Sequence, residues 1–217
     1  KNIRNIHYTE LLKWIDHYRE LSIQKITGNT PTKNRLRQLK DVDTMYEVWV
    51  FLAFADYLYE KNILTECQLN TKPNCKFNVQ GKNITFWYEK EFQPSKGEPI
   101  PWAVTHRPDF IAMIDDERLA VFDAKNYGEH SQISDPKNKM LSYMNNLNVN
   151  FGALIFPYHP KDTSVDESKF ESSSIHKTKV LALCKMTPER DSYKINQETL
   201  DFIFKSIKER IPLTTSS

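Results

Sequence analysis

Residues 117–127 read ERLAVFDAKNY, and the two charges that end this run are out of keeping with it. Leu119, Ala120, Val121 and Phe122 have the character of a strand entering a core. Asp123 and Lys125 then follow, separated by one alanine. Side chains two apart on a strand point to the same face, and taking either charge out of water is costly unless something compensates it. Asp109 opens a second apolar run, in RPDFIAMI, and Glu47 lies inside YEVWVFLAF, the most hydrophobic helical stretch of the chain. A divalent cation resolves the cost of gathering these carboxylates. Mg²⁺ takes hard oxygen ligands and keeps positions for water, leaving Lys125 to position or activate that water or to stabilise charge on a phosphorus centre. The plain alternatives are a salt bridge between Asp123 and Lys125 at a strand end, and a Glu47 that pairs with a lysine or reaches solvent.

The elements that must position these residues follow from periodicity. Residues 3–26 have apolar groups at helical spacing and are stopped by TGNTPT at 27–32. A second helical stretch runs from Lys33 to Lys61 with a bend near DVD at 41–43. Its second half, MYEVWVFLAFADYLYE, is apolar nearly all round and should be buried. From Cys75 the pattern changes: KFNVQGKNITFWYEKEF predicts two strands joined by a turn at Gly81–Asn83. A proline-rich irregular loop covers 93–106. Residues 107–114 and 118–125 predict a hairpin over Asp115, Asp116 and Glu117. DPKNKMLSYMNNL (135–147) predicts a helix with Asp and Pro at its start. Strands are expected at 151–157 and 179–186, a polar surface loop at 161–174, and a closing amphipathic helix at 196–211. That order predicts a mixed α/β domain, a central sheet flanked by helices. Residues 1–32 form an N-terminal helical extension and 33–217 the domain proper.

Bulk properties narrow the field. The 217 residues are 39% hydrophobic and 27% charged, with no apolar run near the ~18 residues of a membrane span. Net charge is +2, yet residues 1–40 hold nine Lys/Arg against three acids, a local +6 that leaves −4 for the rest. A basic arm beside an acidic body suits a phosphate-binding flank, with Arg35 and Arg37 as its candidate contacts; a solvated helix face is the alternative. Cys67, Cys75 and Cys184 form no CxxC pair, so the expected setting is cytoplasmic and reducing. The five glycines include no phosphate-cradling loop, which argues against a nucleotide-driven motor in this chain. His7, His17, His130, His159 and His176 lack metal spacing and read as surface residues. Trp49, Trp87 and Trp102 read as packing residues. The start at Lys1 suggests an excised segment of a longer protein.

Together, Pro108-Asp109 and Asp123-Ala124-Lys125 resemble the PD-(D/E)XK nuclease motif. More narrowly, YEVWVFLAF, RPDF, DAKNY and KMLSYMNNLNVNFGALIFP are similar to the nuclease domain of McrC-like restriction subunits, over residues 33–160. The resemblance implies a restriction-endonuclease-like core and a metal-dependent DNA endonuclease of a defence system. It implies Mg²⁺, with Mn²⁺ able to substitute, held by Asp109, Asp123, the carbonyl of Ala124 and Glu47. Lys125 would serve the attacking water. DNA is the implied substrate and a separate McrB-like NTPase motor the implied partner; self-association is left open, and no membrane is involved. In that family a helix after the lysine carries Gln-x-x-x-Tyr. Here Tyr143 matches, and Lys139 stands at the Gln position. Lys139 meets DNA or lies on a solvated helix face, Tyr143 is an auxiliary site contact or core packing, and His106 and Arg107 touch phosphate or a solvated strand edge. The rival readings are a nuclease-like module that grips DNA or a partner without cutting, and a structural assembly subunit.

Overall fold

A computed structural model describes residues 42–68, 72–92, 107–126, 134–157, 163–171, 178–188 and 192–212. The N-terminal extension lies outside the described residues, as do Arg35 and Arg37 at the start of the domain proper. So do Trp102, His106 and the five other histidines. Among the described residues eight strands form one sheet: β1 (Leu64–Gln68), β2 (Asn74–Val79), β3 (Lys82–Tyr88), β4 (Phe110–Ile114), β5 (Glu117–Ala124), β6 (Phe151–Phe156), β7 (Val165–Glu171) and β8 (Thr178–Lys185). The order across the sheet is β1-β2-β3-β4-β5-β6-β8-β7. Strands β1 to β5 form an antiparallel meander, β6 and β8 continue it in parallel, and β7 closes the far side antiparallel to β8. Among the described residues three helices flank it: α1 (Val42–Glu60), α2 (Ser134–Asn146) and α3 (Ser192–Lys208). The fold is α/β, a mixed sheet between helices, the arrangement of a restriction-endonuclease-like core.

Two apolar clusters, one on each face of the sheet, hold the layers together. On one face α1 and α3 pack through Trp49, Phe54, Leu58, Leu200 and Ile203 onto Phe77, Phe86, Phe110, Phe122 and Phe151. On the other, Met140, Tyr143 and Met144 of α2, with Leu147 just past its end, cover Ile111, Val121, Leu154 and Leu183. Helix α1 is buried round most of its circumference, as its composition requires, with Phe54 and Phe86 only 4.6 Å apart between ring centres. The polar ends of its buried tyrosines are satisfied: Tyr46 Oη donates to the Met186 carbonyl (2.8 Å) and Tyr57 Oη to Asp201 (2.6 Å). Helices α1 and α2 both stop on an asparagine with positive φ, Asn62 (56°) and Asn148 (52°). In each, the following amide donates back five residues, Ile63 to Leu58 and Val149 to Met144. These are left-handed caps made without glycine.

Two expectations are corrected, and one strand was not anticipated. The β2–β3 turn centres on Gln80 and Gly81 rather than Gly81–Asn83, because a two-residue hairpin turn of this hand needs two consecutive positive φ values, here 54° and 78°. Residues 165–171 are not a surface loop but the strand β7, paired along its length with β8. Its VDESKFE sequence is polar because that strand is hydrogen-bonded on one side and keeps Glu167, Ser168 and Lys169 in solvent. Strand β1, LTECQ, was too polar to stand out.

Candidate active site

The site forms where β4 begins and β5 ends, because the antiparallel register brings those two points together. Phe110 pairs with Phe122, so Asp109 comes level with the end of β5. There its side chain takes over from the main-chain ladder: the Ala124 amide donates to Asp109 Oδ2 at 2.8 Å. Strand β5 alternates, with Phe122 and Ala124 packed toward α1 and α3 and Val121 toward α2. By that alternation Asp123 falls on the α2 side, where it is only 1% exposed. The Lys125 amide continues the sheet by donating to Ile155 of β6 (2.8 Å), which fixes the backbone from which its amine projects.

Lys125 Nζ sits among three oxygens. It lies 2.6 Å from Asp123 Oδ2, 3.3 Å from Asp109 Oδ2 and 3.2 Å from the Ala124 carbonyl. The two carboxylates push its pKa up against the opposing effect of burial, so the amine is a firm ammonium. Burial and the facing Asp123 carboxylate together push the Asp109 carboxyl up to about 8, with Lys125 pulling the other way. Glu47 arrives from α1 on the opposite face. Burial pushes its carboxyl up to about 7 while Lys125 lowers it, and Oε2 accepts a hydrogen bond from Tyr88 Oη at 3.2 Å. The salt bridge that was the plain alternative for Asp123 and Lys125 is therefore present, and Glu47 takes a tyrosine hydroxyl as its partner.

Helix α2 closes the other side. Lys139 Nζ is 3.6 Å from Asp123 Oδ1 and 5.3 Å from the centre of the Tyr143 ring. Tyr143 is both core and contact: its ring packs in the α2-side cluster while Oη donates to the Arg107 carbonyl at 3.0 Å. Lys139 is thus not on a purely solvated face. Arg107 itself turns away to pair with Glu89 at 3.3 Å, in an exposed contact.

A hard cation suits this donor set. Both Asp123 oxygens are buried, and among the described residues their close partners are the two ammonium groups of Lys125 and Lys139. Two aspartates, a glutamate and a backbone carbonyl supply oxygen only, the chemistry Mg²⁺ accepts. Among the described residues no three acidic, histidine or cysteine side chains are grouped so as to hold a metal ion by themselves.

No protein-family model and no curated protein matches the chain. Among solved structures it is similar to a chain of a Thermococcus gammatolerans assembly, the refined half-complex from a tetradecamer of McrB AAA+ hexamers with bound McrC. The TM-score is 0.47 and the identity 12%, over 76% of this chain and 33% of that one. This chain therefore spans a third of that neighbour's length.

Of the residues singled out in the sequence, Asp109, Asp123, Ala124, Lys125 and Lys139 come together, with Glu47 facing them from α1 and Tyr143 bracing the α2 side. Tyr88 was missed. Its only signal was its place at the end of β3, level with Phe110 and so beside Asp109. Among the described residues no helix is long and apolar enough to cross a membrane.

Proposed function

We propose that this chain is a metal-dependent DNA endonuclease domain, the cleaving part of a restriction system. What carries the reading is the convergence of Asp109, Asp123 and Lys125 at the end of one sheet, with Glu47 facing them from the opposite layer. The resemblance of RPDF and DAK to nuclease motifs supplies the substrate class. Asp109, Asp123 and the Ala124 carbonyl would hold Mg²⁺, with Glu47 assisting. When bound, Mg²⁺ neutralises charge at the phosphodiester and favours attack by water.

The chain's own residues set the geometry of that attack. Lys125 enters as an ammonium whose backbone is pinned to β6, so it donates hydrogen bonds to the incoming water or to a phosphate oxygen rather than removing a proton. Asp123 stays fixed because it is buried at a strand end, and Asp109 because its Oδ2 is tied to the Ala124 amide. Tyr88 orients Glu47. With no phosphate-cradling glycine loop in its sequence, the chain relies on a separate McrB-like NTPase for any nucleotide-driven movement of DNA.

The test is thermal melting with and without Mg²⁺. Mg²⁺ raises the melting temperature of the unaltered chain by mass action, and the rise disappears in Asp123→Asn. An equal rise in both proteins removes Asp123 from the metal site and overturns the assignment.

A further inference from the structure

One buried carboxylate, Asp123, is shared by two amines, and they hold it unequally. Lys125 has a side chain only 15% exposed and touches three oxygens. Lys139 has a side chain 49% exposed, lies 3.6 Å from Oδ1 of Asp123 and also interacts with Tyr143. That separation is well beyond the ~2.7–2.9 Å of a charge-assisted hydrogen bond. Lys125 is held at more points and is more deeply buried than Lys139. The Tyr143 ring, braced by its hydrogen bond to the Arg107 carbonyl, offers the Lys139 amine a second favourable contact at the mouth of the site.

We propose that Lys139 is an exchangeable counter-ion. It pairs with Asp123 while no cation is bound there, and moves to a backbone phosphate of the DNA when a divalent cation takes that carboxylate. The inference rests on the nuclease reading above and extends it to a residue whose part in the reaction is binding, not chemistry. Its physical basis is charge. A dication on Asp123 sets two positive charges beside the ammonium, and the flexible four-carbon stem lets the amine swing away without disturbing α2. Lys139 trades one anion for another, so cation and DNA binding become positively coupled, each strengthening the other by the same factor.

The coupling is read by fluorescence anisotropy of a short labelled duplex, with and without Mg²⁺, using the full chain and its Lys139→Ala and Lys139→Arg variants. The DNA is checked intact on a denaturing gel. Calorimetric titration of Mg²⁺ without DNA accompanies each protein. Lys139→Ala loses about tenfold in DNA affinity when Mg²⁺ is present, and its salt slope falls by about one. Without Mg²⁺ its DNA affinity changes by less than about twofold, because Lys139 is then tied to Asp123 rather than to phosphate. Its Mg²⁺ affinity is unchanged or higher, since a competing cation has gone. Lys139→Arg keeps most of the coupling.

Equal losses with and without Mg²⁺ overturn the exchange and make Lys139 a standing phosphate contact. Weaker Mg²⁺ binding by Lys139→Ala overturns it differently, making Lys139 a support for Asp123. No loss in either condition leaves a solvated lysine. A wild-type chain that shows no Mg²⁺ heat sensitive to Asp123→Asn fails on the nuclease reading itself, a result distinct from the other three.

Discussion

Burial pushes the carboxyls of Asp109 and Glu47 up to about 8 and about 7. The folded chain therefore keeps protons that the unfolded chain releases near pH ~4. The stability these groups contribute is complete below that pH and is lost as pH rises through their folded values. Without metal, the melting temperature should fall between mildly acidic pH and about pH 8, and Asp109→Asn should flatten the fall. A melting temperature that holds steady or climbs across that window contradicts the buried-carboxyl account. These same residues were the most legible in the sequence, because a charge at the end of an apolar run needs a compensating partner. Lys139 was less legible. A lysine near the start of a helix has many possible neighbours, and only the packed position of α2 selects Asp123 among them.

That position is set by a glycine. A Cβ on Gly152 of β6 would lie 2.7 Å from Met144 Sδ and 2.9 Å from both Cγ and Sδ of Met140. Helix α2 thus rests its methionines on β6 so closely that any larger residue at Gly152 requires Met140 and Met144 to shift. Gly152→Ala should destabilise the fold by about 1–3 kcal/mol in chemical denaturation, as overpacking does, while shifting Lys139 relative to Asp123. A loss below about 0.5 kcal/mol would mean that the flexible methionines simply give way. The helices and central strands were readable because each shows a strong period or a continuous apolar run. Strand β7 was not, because a strand at the polar side of the sheet keeps solvent-facing residues and so looks like a loop. The β2–β3 turn was misplaced by about one residue because the choice rests on φ at Gln80, a residue type that does not advertise a positive value.

Across the whole chain, charge is divided between a basic first 40 residues, net +6, and a remainder of net −4. If the arm meets phosphate, neutralising Arg35 and Arg37 together should weaken binding to every DNA sequence and lower the salt slope by about two. An unaltered slope would demote the arm to a solvated helix face. The central sheet was readable as a series of apolar runs; the layering that brings Glu47 from α1 over the β4–β5 site was readable only as an expectation of burial. The central claim is phosphodiester hydrolysis at Asp109, Asp123 and Lys125, and the conversion of supercoiled plasmid to nicked and linear forms measures it most directly. With Mg²⁺ or Mn²⁺ the chain should cut slowly and without sequence preference, chelation should stop it, and Lys125→Ala should slow it about 10²-fold or more with the Mg²⁺-induced melting shift intact. Lys125→Ala cutting at the unaltered rate, or no metal-dependent cutting by the unaltered chain at any protein concentration, would contradict the account.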